Sequence, residues 1–175
     1  MKSSVSFHKV TTAKDIAETA RLARIIWTEH FSDIIGKDIV QYLLETLQSE
    51  KAIKLQIQDE YAYYLIQAET NYVGYFAVQH QRQEQNMFLS KLYILNSERG
   101  KGYGKSALSA IEKMAHNNNC CKISLTVYYK NRNSIAAYEK MGFYKTGSIR
   151  RDVGNGIIIH DLTMEKIMTD PREKK

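Results

Sequence analysis

The chain of 175 residues has little proline, little cysteine and no long apolar run. No segment is apolar over the roughly 20 residues that a membrane-spanning helix needs, and the N-terminus lacks the apolar stretch of a signal peptide. These absences predict a cytoplasmic protein with no membrane partner. The two cysteines, Cys120 and Cys121, are adjacent, which suits neither a disulfide scaffold nor a metal site, so we expect reduced strand residues and no metal. A redox pair is the alternative.

Charge is distributed unevenly along the chain. Residues 1–60 contain eight Lys and Arg against nine Asp and Glu, whereas residues 61–175 contain 17 against 10. The basic part would attract an anionic ligand, but its charge does not distinguish a nucleotide from a coenzyme or a nucleic acid. The length fits one domain, predicted over residues 1–168 and followed by a polar tail at 169–175.

The spacing of apolar residues predicts a mixed α/β (α+β) structure. Residues 1–60 read as a strand at 5–10 followed by helices, the first capped by Thr12, the second at 38–47 and the third capped by Ser49. Residues 61–168 read as a mostly antiparallel sheet of about six to seven strands in total, with helices on its faces. The predicted strands there are 61–68, 72–80, 87–95, 121–128, 143–150 and 157–166, and the predicted helices cover 107–115 and 131–141. A strand-helix-strand unit implies one parallel pair.

A turn with three alternating glycines follows the strand at 87–95. Gly100, Gly102 and Gly104 lie among basic residues and lead into an amphipathic helix. Glycines let the backbone approach a ligand closely, and the unpaired N–H groups of a helix start bind phosphate. Residues 99–106, called the cradle below, therefore predict an anion site.

Two common phosphate loops fit the cradle poorly. Residues 104–106 end like a nucleoside-triphosphate P-loop, but its spacing requires a glycine where Arg99 stands. The pattern Gly102-x-Gly104-x-x-Ala107 satisfies the dinucleotide fingerprint, but no acid follows about 20 residues later to hold a ribose. The chain also has one convincing strand-helix-strand unit, where a dinucleotide fold has two halves.

The pattern Arg99-x-x-Gly102-x-Gly104 resembles the Arg/Gln-x-x-Gly-x-Gly/Ala signature of the GNAT superfamily of acyl-coenzyme A dependent N-acetyltransferases. The stretch from Asn131 to Phe143 resembles the family's Asn-x-x-Ala-x-x-x-Tyr-x-Lys-x-Gly-Phe segment, at its usual distance from the first motif. The resemblance covers roughly residues 72–166. It implies a GNAT-like fold with a splayed central parallel pair, in which 1–60 lies on the acceptor side and 61–168 binds the coenzyme.

The resemblance also implies which residues hold acetyl-coenzyme A, the expected co-substrate. It assigns backbone hydrogen bonds with the pantetheine arm to Leu92, Tyr93 and Ile94. It assigns a further contact to Asn131, and Ser134 occupies a contact position where the family has a small residue. The phosphates of the coenzyme are assigned to the cradle, namely Arg99, Gly100, Lys101, Gly102, Tyr103, Gly104, Lys105 and Ser106.

The resemblance assigns the general acid to Tyr138. A tyrosine of pKa about 10 stays protonated at pH 7 and donates to a departing thiolate, whose conjugate acid has a pKa of about 8.5 by analogy with cysteine. Some relatives have a glutamate two residues before the Leu92 position to guide the amine's proton, but Ser90 stands there. The base is therefore unassigned, and the candidates are Glu29, His30, Asp33, Asp152, His160 and Asp161.

The acceptor is predicted from a more limited resemblance. Residues 27–31 and 152–156 are similar to small bacterial GNAT proteins grouped with spermidine/spermine acetyltransferases. This predicts a small primary amine, with a polyamine as the leading candidate, no nucleic acid partner, and substrate contacts from Trp27, Glu29, His30 and Phe31. Trp27 and Phe31 also fit a core or wall role. A homodimer is slightly favoured, with 157–166 able to pair or pack across its interface, but an exposed edge is equally compatible with a monomer. The alternative function is a non-catalytic sensor that binds an acyl coenzyme and associates with nucleic acid or a partner protein.

Overall fold

The computed structural model describes residues 5–169 of the chain. Within them lie seven strands and five helices: β1 Val5–Lys9, α1 Ala13–Ile35, α2 Lys37–Leu47, α3 Glu50–Gln58, β2 Tyr61–Ala68, β3 Asn71–Gln81, β4 Asn86–Ile94, α4 Tyr103–Asn117, β5 Lys122–Tyr128, α5 Arg132–Lys140, β6 Tyr144–Asp152 and β7 Ile158–Ile167. Every predicted strand and helix is found, and the ends of the predicted strands differ by two residues at most. Of the predicted tail at 169–175, all but the first residue lies outside the described part.

Side-chain caps begin two of the N-terminal helices, as the sequence predicts. The Thr12 hydroxyl accepts from the backbone N–H of Asp15, and the Asp15 carboxylate accepts in return from the N–H of Thr12 at 2.9 Å. Burial by itself would raise the pKa of Asp15. Hydrogen bonds from Thr12, Thr11 and His8 outweigh that effect and lower the pKa to about 2. The Ser49 hydroxyl caps α3 by accepting from the N–H of Ala52. These hydrogen bonds, reciprocal at α1 and single at α3, satisfy donors that a helix start leaves unpaired.

The strands form one mixed sheet in the order β1-β2-β3-β4-β5-β7-β6. Strands β4 and β5 are parallel, with Asn86 opposite Lys122 and Leu89 opposite Leu125. The other recorded pairs are antiparallel. The predicted fold class is therefore confirmed. The cysteine prediction needs one correction: Cys120 and Cys121 are free thiols, but they precede β5 and are not part of the strand, because the chain bends there after α4.

Two compact units are distinguished in the chain, and the first comprises the stretch through Gln79 together with Lys91–Ser109. Its core joins the apolar stripe of α1 to the faces of β2 and β3. Leu22 and Ile26 of α1 and Leu65 of β2 are fully buried. Strand β3 is buried at every position from Val73 to Val78. Since successive residues of a strand point to opposite faces, both faces of β3 are covered.

The second unit comprises His80–Ser90 and the chain from Ala110 onward. In β5 the buried residues alternate with half-buried ones, as in a strand with one face on a core. Strand β6 is the edge strand next to β7, and each of its nine residues is exposed. Between residues 5 and 169 there is no helix with the length and apolarity to cross a bilayer.

Candidate functional site

The cradle lies in the first unit, where its glycines shape the entry to α4. Gly100 has φ 80° and Gly102 has φ 87°, a left-handed conformation that side chains rarely adopt. The N–H of Ser106 donates to the Gly102 carbonyl at 3.0 Å and closes the first helical turn. The N–H groups of residues 103–105 precede that bond and have no acceptor within the helix. The turn thus presents a row of backbone donors with the positive end of the helix dipole behind them.

Open space lies in front of the cradle at Gly104. Its φ is ordinary, and apart from its chain neighbours and the adjacent backbone of α4 no atom lies within 4 Å of a Cβ placed there, so packing against the rest of the protein does not require glycine at this position. A side chain there would extend into the space before the helix start, where a bound anion would lie. Lys101 and Lys105, which flank Gly104 in the sequence, are both exposed. Lys101 donates to Glu98 at 2.9 Å, and this hydrogen bond raises the pKa of the lysine. These residues fit a phosphate group.

Arg99 is held between the end of β4 and helix α1. Its Nε donates to the Ile94 carbonyl at 3.3 Å, and its guanidinium nitrogen lies 3.2 Å from Nδ1 of His30. An arginine has only donors, so Nδ1 of His30 accepts and carries no proton in this contact. The sequence predicted His30 as a substrate contact, whereas the structure shows it bound to the first cradle residue.

The aromatic residues predicted at the substrate pack against the coenzyme-assigned strand. The Trp27 ring lies 4.7 Å from Phe31 and 5.7 Å from Tyr93, measured between ring centres. Trp27 is 8% exposed and Phe31 is 6% exposed, so both belong largely to the core. Glu29 is exposed on α1. The structure therefore brings Trp27 and Phe31 together with β4, and His30 together with the cradle.

A buried lysine on β4 is a feature that the sequence reasoning missed. Lys91 is 8% exposed, and its ammonium group donates to Oε1 of Gln56 at 2.6 Å. The same oxygen accepts from the Tyr63 hydroxyl at 2.7 Å, and Lys91 lies over the Tyr61 and Tyr63 rings. Burial raises the pKa of Tyr63 well above its usual value. The available signal was a lone lysine in a strand whose other residues, apart from Asn86 and Ser90, are apolar or aromatic.

In the second unit, Asn131 and Tyr138 lie at opposite ends of α5. Asn131 is buried and caps the helix, accepting from the N–H of Ser134 at 3.4 Å, and its own N–H donates to the Tyr128 carbonyl. Tyr138 packs edge-on against Phe143 at 5.5 Å. The Tyr138 ring is half-buried, and burial raises the pKa of its hydroxyl to about 12. Tyr138 therefore keeps its proton throughout the neutral range.

The candidate bases of the second unit differ in their surroundings. Asp161 is 3% exposed, lies opposite Tyr128 in the β5–β7 register and accepts from the Arg151 guanidinium. His160 stacks on Tyr129 at 4.8 Å. Asp152 is exposed and accepts from a turn N–H, as do many aspartates in loops. In the first unit Asp33 is exposed, like Glu29. Across residues 5–169 no three His, Cys, Asp or Glu side chains gather as a metal site would require.

Comparison with known proteins identifies relatives of this chain. The model of the Acetyltransferase (GNAT) family matches residues 19–143. The Uncharacterized N-acetyltransferase YycN of Bacillus subtilis (strain 168) is 35% identical over 63 residues, which are 36% of this chain and 40% of YycN. The chain thus matches less than half the length of this relative.

Two solved structures share the fold. The PaiA N-acetyltransferase from Thermoplasma acidophilum, in complex with coenzyme A, has a TM-score of 0.75 at 19% identity, covering 94% of this chain and 99% of its own. A spermidine N-acetyltransferase SpeG chimera from Vibrio cholerae and hSSAT has a TM-score of 0.68 at 15% identity, covering 95% and 96%. At these identities the likeness shows the fold alone.

Proposed function

From the premise that this chain belongs to the acetyltransferase (GNAT) family, we propose that it transfers the acetyl group of acetyl-coenzyme A to a primary amine. The observation that carries the proposal is the cradle. Gly100 and Gly102 adopt the left-handed conformation there, the start of α4 offers unpaired N–H groups, and the space at Gly104 is open. This arrangement suits the pyrophosphate of the coenzyme.

The residues around the cradle fit the other parts of the coenzyme. The exposed Lys101 and Lys105 supply positive charge for its phosphates. The backbone of Leu92, Tyr93 and Ile94 is proposed to bond the pantetheine arm as an added strand would, with Asn131 contributing from the start of α5. Acetyl-coenzyme A supplies a thioester whose carbonyl the amine attacks.

Tyr138 is the proposed general acid. Its pKa of about 12 means that the hydroxyl carries its proton at neutral pH and can donate a hydrogen bond where negative charge develops on sulfur. The base remains open. Asp161 is a buried carboxylate, but one of its oxygens, Oδ2, already accepts a hydrogen bond from Arg151.

The acceptor is proposed to be a small amine, with polyamines the first compounds to test. The support is electrostatic: the first two helices expose several carboxylates that attract a polycation, namely Glu29, Asp33, Asp38 and Glu45. A spermidine acetyltransferase shares the fold, which is compatible with this acceptor but equally with others. The cytoplasmic location and the homodimer stay predictions of the sequence.

Release of free thiol from acetyl-coenzyme A tests the proposal. The purified chain is mixed with acetyl-coenzyme A and a panel of polyamines, amino acids, peptides and aminoglycosides, and a reaction without amine gives the background. We expect amine-dependent release with at least one class. Binding of the coenzyme without release for any amine, together with salt-sensitive binding of DNA, would instead favour the sensor function.

A Gly104→Val variant tests whether the coenzyme occupies the cradle. The added side chain meets no protein atom within 4 Å of its Cβ, so the thermal unfolding temperature should change little. Coenzyme A binding should weaken by about tenfold or more, because the side chain blocks the phosphate and one lost charge-assisted hydrogen bond already accounts for that factor. Unchanged affinity would mean that the coenzyme lies elsewhere.

A further inference from the structure

Gly74 in β3 has no room for a side chain. A Cβ placed on Gly74 would lie 2.2 Å from the carbonyl oxygen of Tyr93, 3.0 Å from Cδ1 of Ile94 and 3.1 Å from its Cα. Two of these three atoms belong to the backbone of β4, so rotation of a side chain cannot relieve the contact. Gly74 does not have a positive φ, and its backbone conformation is open to any residue. Glycine is needed here because of space and not because of flexibility.

The position of the Tyr93 oxygen is unusual for a strand. Side chains stand roughly perpendicular to a sheet, whereas the carbonyls of a regular ladder lie in its plane and point at the neighbouring strand. An oxygen that occupies the place of the Gly74 side chain has therefore turned out of the ladder. The strands remain paired close by, since the N–H of Leu95 donates to the Val73 carbonyl at 2.9 Å. The distortion therefore lies close to this hydrogen bond, at the peptide between Tyr93 and Ile94.

The rotation of this peptide also sets the direction of the next N–H group. All peptide bonds of the described residues are trans, so the N–H of Ile94 points opposite to the Tyr93 carbonyl. The carbonyl faces Gly74 of β3, and the N–H consequently points away from β3. Leu92, Tyr93 and Ile94 are the residues proposed above to bond the pantetheine arm.

We propose that Gly74 is a positioning residue for the coenzyme. By leaving space for the Tyr93 carbonyl, it keeps the Tyr93–Ile94 peptide turned so that its N–H can meet the pantetheine arm. This inference rests on the proposed function, because it needs acetyl-coenzyme A as the ligand. Gly74 lies in β3, outside both sequence motifs. The inference nevertheless gives it an influence on how the pantetheine arm is bound, whereas the cradle is proposed to bind the phosphates.

The Gly74→Ala variant tests the inference with two ligands. One ligand is coenzyme A, and the other is adenosine 3′-phosphate 5′-diphosphate, which carries the phosphates but lacks the pantetheine arm. Isothermal titration should show about tenfold weaker binding of coenzyme A, the effect of one or two misplaced backbone hydrogen bonds. Binding of the fragment should change by less than about twofold, since the cradle is untouched.

Gly147→Ala is the matched control. Gly147 is also a strand glycine, in β6, but its added Cβ meets only Oγ1 of Thr163, at an ordinary 3.4 Å. Both ligands should bind this variant as they bind the unaltered protein. If Gly74→Ala weakens both ligands equally, or neither, Gly74 does not position the pantetheine-binding strand and the inference is wrong.

A measurement on the unaltered protein keeps the inference testable should Gly74→Ala fail to fold. The backbone amide resonance of Ile94 should shift on addition of coenzyme A and stay in place on addition of the fragment. If the protein binds coenzyme A but the Ile94 amide resonance does not shift, the inference is wrong and the proposed function is unaffected. A protein that binds neither ligand contradicts the proposed function itself.

Discussion

Replacing Tyr138 with phenylalanine removes the proposed acid and leaves its ring packed on Phe143. The size of the effect depends on how far the proton moves. The pKa of Tyr138 is about 12, whereas a thiol leaving group has a pKa near 8.5. Complete transfer of the proton from Tyr138 to the thiolate would therefore be uphill by about 5 kcal/mol, at roughly 1.4 kcal/mol for each pKa unit.

A hydrogen bond to the developing thiolate is consequently the larger contribution. Hydrogen bonds to charged groups contribute about 1.5 to 3 kcal/mol, which corresponds to a loss of about 10- to 150-fold in kcat for Tyr138→Phe. The affinity for coenzyme A should stay within about twofold, because the bond strengthens only as charge forms on sulfur. In the unaltered enzyme kcat should not fall between pH 9 and about 10.5, since Tyr138 keeps its proton over that range.

The assay is thiol release from acetyl-coenzyme A at saturating amine, from pH 6 to about 10.5, with coenzyme affinity measured separately by titration. Tyr144→Phe is the matched control, because Tyr144 is an exposed tyrosine on the edge strand β6. A Tyr138→Phe variant with full kcat would refute the acid role. A fall in kcat with an apparent pKa near 10, lost in Tyr138→Phe, would show that the hydroxyl is not desolvated as the structure indicates.

Three further predictions concern contacts outside the reacting groups. Asp15→Asn should lower the free energy of unfolding at pH 7 by about 1 to 2 kcal/mol in urea denaturation. The folded pKa of Asp15 is about 2, below its ordinary 3.8, so its contribution is present above pH 4 and disappears as the pH falls through 2. His30→Phe keeps the ring contact with Phe31 but removes the acceptor for Arg99, and should raise KM for acetyl-coenzyme A by about three- to tenfold with kcat unchanged. Arg151→Ala should cost more unfolding free energy than Asp161→Asn, about 3 against about 1 kcal/mol in urea, because it leaves the buried carboxylate of Asp161 without its cation.

Each of these predictions has a control nearby. Asp38→Asn changes a first-turn acid of α2 that is exposed, and should alter stability by less than about 0.5 kcal/mol. Thr28→Ala changes an exposed residue of α1 and should leave KM as it was. An equal loss from Asp15→Asn and Asp38→Asn would point to helix-dipole effects alone. For the ion pair, the reverse order of the two losses would mean that the buried Asp161 carboxylate does not depend on Arg151 for charge compensation.

The features that the sequence predicted correctly depend on residues close together in the chain. The caps at Thr12 and Ser49 involve side chains and N–H groups three positions apart. The glycine-rich turn was predicted from the spacing of Gly100, Gly102 and Gly104, and the positive φ angles of Gly100 and Gly102 are a local consequence of the same residues. The change from a helical to a strand period at Tyr61 is also visible in a short window.

Contacts between distant residues could not be predicted in the same way. His30 and Arg99 are 69 positions apart, and Gln56 and Lys91 are 35 apart. Periodicity indicates which residues of an element share a face, but not which residue of another element meets them. For the same reason nothing in the sequence distinguishes Gly74 from a glycine that an alanine could replace.

These contacts indicate a different role for residues that the sequence assigned to the acceptor site. Trp27 and Phe31 pack on Tyr93, and His30 binds Arg99, so the buried side of α1 supports the strand and the turn proposed to hold the coenzyme. Substitutions on that side should therefore have a larger effect on the affinity for the coenzyme than on the selectivity for the amine. Selectivity for the amine is to be sought on the exposed side of the same helix, where Glu29 stands. The proposed site for the acetyl donor is a short motif of residues adjacent in the chain, whereas the acceptor depends on side chains that become neighbours only through folding.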